Sequence, residues 1–242
     1  MRALTTCFLF VLTGVIGRAQ SFSIINDKDG FVNVRKESNP KSAIVGKLYI
    51  DDIFGVDEDD TVDITKLEWF KIYKQIDRYH SLEGYIHKSR NFFLFHFPTI
   101  KKVKTYADSC VCNNDSLKVV IKSGIFKPRN HKLTNSVVDK TTNTLTELNK
   151  IDGHQIWGTD GELPRTAITS LKVTINGSKI DIPKSAFYDL YEPRFSSITV
   201  YLGKNNTIYV KMGNSDGAGA YTIIWIIKNG KYLKRYIDNS YI

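Results

Sequence analysis

The chain has few of the residues that usually mark chemistry. Its 242 residues include three cysteines and five histidines. Cys7 lies in an apolar N-terminal run, which leaves Cys110 and Cys112 for the rest of the chain. His80, His87, His96, His131 and His154 lack the clustered spacing of a zinc site. No G-x-S-x-G elbow and no P-loop occurs. Helical heptads, internal repeats and low-complexity tracts are also missing. Beyond residue 19 no stretch is apolar enough to span a membrane. These absences argue against serine hydrolases of that type, P-loop phosphoryl transfer, coiled coils and multispan membrane proteins.

What remains is rich in Tyr, Phe and Thr, which favours β structure, and holds enough apolar residues for a packed core. The length allows two modest domains. Residues 1–19 read as an export segment. Arg2 is a positive n-region, residues 7–16 form an apolar stretch too short for a bilayer, and Gly17 and Ala19 are small residues before Gln20. A buried N-terminal strand is the alternative. Cys7 sits inside the apolar stretch, so a lipid anchor is not expected. The expected location is exported, in a periplasm or outside the cell.

Charge is unevenly spread. Residues 20–100 carry 11 Lys/Arg and 13 Asp/Glu, whereas residues 101–242 carry 21 and 12. The basic excess therefore belongs to the C-terminal part. It favours anionic partners such as cell-envelope polymers or acidic protein surfaces, or else is a solvated basic surface.

The run Asp29-Gly-Phe-Val-Asn-Val-Arg35 precedes a turn-rich loop through Pro40 and an Ile44-Val45-Gly46-Lys47-Leu48 segment. Later come Trp69-Phe70-Lys71-Ile72 and Gly84-Tyr85-Ile86-His87. This order resembles bacterial SH3-like (SH3b) domains over about residues 23–97. The resemblance implies a small β barrel, a bacterial source and a binding groove framed by loops. Tyr73, Tyr79 and His80 are the candidate groove residues, with Tyr73 equally placed to be core. Many such domains accompany cell-wall hydrolases. A cysteine peptidase needs a different order around its nucleophile than Asp108-Ser109-Cys110, and a zinc amidase needs clustered ligands. No enzyme activity is expected.

The acidic residues 51–63 lack the spacing of a Ca²⁺ loop and read as solvated. The run NFFLFHFP, residues 91–98, reads as either the last barrel strand or a buried bridge between domains. Residues 101–114 read as a polar connector. Cys110 and Cys112 are read as a strained local disulfide or free thiols, with a soft-metal pair as the remaining option.

From residue 115 onward, at least seven strands with short turns predict an antiparallel sandwich or open barrel with one short helix near residues 183–191. Asn176-Gly177 and Asn229-Gly230 mark two-residue hairpins. Two loops, residues 156–164 and 213–221, combine Asp-Gly with aromatics. Either they form a site from Trp157, Asp160, Asn214, Asp216 and Tyr221, or they are tight turns. The second loop faintly resembles the serine- and glycine-rich loop of periplasmic lysozyme inhibitors.

The sequence thus predicts a mainly β chain of four parts. These are an export segment (1–19), an SH3-like domain (20–100), a connector (101–114) and a C-terminal β domain (115–242). The expected function is non-catalytic binding in the bacterial envelope, with a cell-wall glycopeptide or an envelope protein as partner. Inhibition of a secreted hydrolase such as lysozyme, or a wall hydrolase with an unrecognised site, are the alternatives. No cofactor, metal, nucleic acid or membrane span is expected.

Overall fold

A computed structural model describes residues 21–57, 63–77, 79–139, 144–215 and 217–239. The expected export segment, Asp216, Arg78 and part of the acidic loop lie outside the described residues. The fold is mainly β. The first seven strands are β1 (Ser21–Ile25), β2 (Phe31–Arg35), β3 (Ile44–Tyr49), β4 (Phe54–Val56), β5 (Trp69–Gln75), β6 (Ser81–His87) and β7 (Asn91–Phe93). They form one antiparallel sheet in the order β3-β2-β6-β5-β4-β1-β7, curled into a half-barrel. Period-2 alternation turns Val32, Val34, Phe70, Ile72 and Ile86 into its core, with Leu48, Phe54 and Phe93.

Twelve strands follow. They are β8 (Lys102–Thr105), β9 (Ser109–Asn113), β10 (Leu117–Ile125), β11 (Leu133–Asp139), β12 (Thr144–Ile151), β13 (His154–Gln155), β14 (Thr166–Ile175), β15 (Ser178–Ile180), β16 (Thr199–Leu202), β17 (Thr207–Asn214), β18 (Tyr221–Lys228) and β19 (Lys231–Asp238). They make a five-stranded sheet (β15-β14-β10-β9-β8), a three-stranded sheet (β11-β12-β13) and a four-stranded sheet (β16-β17-β18-β19). The five- and four-stranded sheets face each other over one core, so this half is a sandwich. Asn176-Gly177 and Asn229-Gly230 turn their hairpins with positive φ at both residues, as the sequence predicts. The expected short helix is a single 3-10 turn, Lys184–Ala186, pinned where the Trp225 indole donates to Ala186 O at 2.7 Å.

The four-stranded sheet is covered on both faces. Val200, Val210, Met212, Ile223 and Trp225 point into the sandwich. Tyr201, Tyr209, Ile224, Ile226 and Tyr236 point the other way and meet Phe22, Ile53, Leu94 and Phe97 of the N-terminal body. That double burial explains why β18 holds an unbroken apolar run, Ile223-Ile-Trp-Ile-Ile227, where a half-exposed strand would alternate. The 91–98 run fills both expected roles. Its β7 pairs with β1, and Phe92, Leu94 and Phe97 enter the shared cluster.

Polar contacts flank this interface. Lys228 holds Asp51 at 2.6 Å, and Asp52 lies between Lys74 (2.7 Å) and Lys234 (3.0 Å). Tyr236 Oη accepts the Gln75 N–H at 3.0 Å and donates to Asp238 at 2.7 Å. Burial works to raise the Asp52 carboxyl, but Lys74, the Tyr49 N–H and Lys234 hold it below the ordinary range. Asp51 and Asp52 are therefore interface residues, not members of a solvated acidic loop.

Residues 101–114 are not a connector. Pro98 O and the Ile100 N–H bond to Leu202 and Val200 of β16, and the chain then enters the β8–β9 hairpin of the five-stranded sheet. Cys110 and Cys112 are free thiols, both buried on the core face of β9. Their mutual hydrogen bond and burial push the Cys110 thiol up, so it is not a ready nucleophile.

Candidate functional site

The N-terminal body presents a cleft of about 600 Å³ on the face of its sheet opposite the core. Alternation along β2 sends Phe31, Asn33 and Arg35 to this side while Val32 and Val34 go inward. Antiparallel register sets Trp69 of β5 directly opposite His87 of β6, with ring centroids 5.4 Å apart at 83°. The β2–β3 loop brings Pro40 to the rim. Arg35 anchors that loop by donating to Ser42 O at 2.7 Å, and Ser42 Oγ accepts the Glu37 N–H at 2.9 Å. At the other end Arg90 pairs with Asp27, whose carboxylate also accepts the Asp29 N–H at 2.9 Å.

The polar groups of the cleft are specific. His87 caps the following 3-10 turn, its Nδ1 accepting the Ser89 N–H at 3.3 Å and lying 2.8 Å from Ser89 Oγ. Its Nε2 faces Glu68 at 3.4 Å. Lys88, hydrogen-bonded to Glu68 at 2.5 Å, holds that carboxyl below its ordinary value. Asn33 Oδ1 is buried with no hydrogen-bond partner. An acceptor left this way costs about 1–3 kcal/mol. The cleft therefore offers a flat indole, a proline, a guanidinium at one end and an ion pair at the other. Among the described residues no group of three or more His, Cys, Asp or Glu is placed to hold a metal ion.

The groove residues expected from sequence lie elsewhere. Tyr73 is buried, its ring lying across Gly55 so closely that a Cβ there would sit 1.8 Å from the ring. Tyr79 is exposed and His80 sits beside it at the β5–β6 turn. Asp77 organises that turn by accepting the N–H groups of Tyr79 and His80 and contacting the imidazole at 2.8 Å. None of the three lines the cleft. Of the residues that do, Phe31, Asn33, Arg35, Trp69 and His87 fall within the motifs that carry the SH3-like resemblance, whereas Asp27, Ser89 and Arg90 lie just outside them. The signal was the alternation of β2, which puts an aromatic, an amide and a guanidinium on one side.

The two Asp-Gly loops do meet. Gly219 lies against the Thr159 backbone, where a Cβ would be 2.8 Å from the carbonyl carbon. Ser215 Oγ donates to Gly158 O at 2.8 Å. Trp157 and Tyr221 are 6.4 Å apart between centroids. Tyr221 is buried and donates to Tyr191 O at 2.8 Å, and burial pushes its phenol well above the usual value. Asn214 is buried too, accepting the Arg194 N–H at 3.3 Å and donating to Met212 O at 3.1 Å. Asp160 is exposed. The glycines thus bring one loop's backbone against the other, and the polar side chains of Asn214 and Tyr221 serve that packing. No family model, curated protein or solved structure matches this chain.

Proposed function

We propose that this is an exported, non-catalytic binding protein of the bacterial envelope whose N-terminal body takes an extended peptide, such as the stem of a cell-wall glycopeptide, in the Trp69–His87 cleft. The observation that carries the reading is the cleft itself. It has aromatic faces for apolar side chains and charged groups at both ends. The sequence resemblance to bacterial SH3-like domains supports the same assignment. The reading as a hydrolase inhibitor needs a projecting glycine-rich loop, whereas Gly219 lies against Thr159.

The test is co-sedimentation with purified peptidoglycan, followed by titration with soluble muropeptides. Trp69→Ala removes the largest ring of the cleft and is expected to weaken binding by at least thirtyfold, about 2 kcal/mol. Tyr79→Ala is expected to leave binding unchanged. Equal binding by Trp69→Ala and the parent chain would refute the assignment.

A further inference from the structure

The outer face of the five-stranded sheet is rich in exposed lysine. Residues opposite each other in register share a face, and the row Val103–Cys112–Val119–Val173–Ile180 includes the buried core positions Cys112, Val119 and Val173. The neighbouring rows therefore face outward. One runs Lys104–Val111–Val120–Lys172. The next runs Asn113–Lys118–Thr174–Lys179, and a third holds Ser109, Lys122 and Ser170. Lys104, Lys118, Lys122, Lys172 and Lys179 are all exposed. None of the five makes an ion pair among the described residues. No carboxylate occupies any of these outward strand positions; Asp108, Asp115 and Asp181 lie at the rim, next to strand ends.

Spacing decides what this face fits. Strands lie about 4.8 Å apart and rise about 3.4 Å per residue. Lys118 and Lys122 are then about 14 Å apart along β10, Lys104 and Lys172 about 14 Å apart across three strand steps, and Lys118 and Lys179 about 10 Å apart across two. Five ammonium groups at those distances cannot converge on one small anion. Each can take one charge of an extended polymer that carries charges repeatedly. The amide of Asn113 and the hydroxyls of Thr174 and Ser170 lie in the same rows, placed for sugar hydroxyls. Among the described residues these rows hold no arginine, and the one ring beside them is the exposed Tyr106 at the β8–β9 turn, whose N–H bonds to Ser109 O; a single ring at the rim is not the row of stacking rings that single-stranded nucleic acid uses.

We infer that this face binds a linear polysaccharide carrying anionic groups on successive sugars. It turns away from the N-terminal body, so the inference does not depend on the cleft.

The test is titration of the full chain with heparin at about 150 mM salt, where exposed charges are screened beyond about 8 Å. Dextran serves as the uncharged control and an oligo-dT as the nucleic-acid control. Lys118→Glu/Lys122→Glu/Lys172→Glu is expected to weaken heparin binding at least tenfold with unchanged melting temperature. Lys28→Glu/Lys184→Glu/Lys231→Glu changes net charge equally but lies off the face, and is expected to shift binding by less than twofold. A neutral Lys→Gln triple on the face repeats the test without charge reversal. Equal loss in the face and off-face variants would overturn the inference, as would heparin binding no tighter than oligo-dT or no binding to heparin at all.

Discussion

At the scale of single residues, Lys211 shows how the interface constrains its neighbours. It sits on β17 on the side facing the N-terminal body, its ammonium 5.4 Å from the centre of the Phe22 ring. Burial lowers its pKa from the ordinary 10.5. Because the folded state then releases its proton more readily than the unfolded chain, the unfolded chain binds more protons between the two values. Stability therefore rises with pH in that window. Lys211→Met removes the buried charge and is expected to raise the melting temperature at pH 7 by about 3 °C. The gain should shrink as pH approaches 10.5, and scanning calorimetry at pH 7 and pH 10 checks both parts. Cys110 and Cys112 give a second prediction at this scale. Neither should react with iodoacetamide in the native chain, and both should react once it is unfolded, as mass spectrometry of the labelled peptides reads directly.

Among the elements, the β8–β9 hairpin separates what was legible in the sequence from what was not. Three lysines open residues 101–114 and two asparagines close them, and so the segment reads as a linker. Underneath lies a strict alternation in which Cys110 and Cys112 face the core and Val111 faces out. Lysine on an edge strand such as β8 is a device against edge pairing, which masks the strand in the composition. By contrast, the Asn-Gly hairpins were legible because φ > 0 at two adjacent positions leaves few residue choices. The double coverage of β18 was written in its unbroken apolar run, but which body covers the second face is a long-range fact. The cleft was half legible. Trp69 and His87 stand in recognisable motifs, yet their pairing depends on the β5–β6 register. Limited proteolysis tests the hairpin. With these residues paired in a sheet, no pair of stable fragments divided at 101–114 is expected, and cleavage there at the rate of an open loop would contradict the fold.

At the scale of the molecule, the four-stranded sheet is sandwiched among the described residues between the curled N-terminal sheet on one side and the five-stranded sheet on the other. The shared cluster around Phe22, Leu94, Phe97, Tyr209 and Ile226, and the Asp51 and Asp52 ion pairs beside it, hold the cleft and the lysine face in a fixed relation. No helix among the described residues is long and apolar enough to cross a membrane. The Trp69–His87 cleft is the proposed peptide-binding site. The most direct measurement is an amide and indole NMR map of the full chain titrated with a soluble cell-wall stem peptide. Peptide bound in the cleft is expected to give saturable shifts at Phe31, Asn33, Arg35, His87 and the Trp69 indole, with the 156–164 and 213–221 loops unmoved. Shifts confined to those loops, or no saturable shift in the cleft, would contradict it.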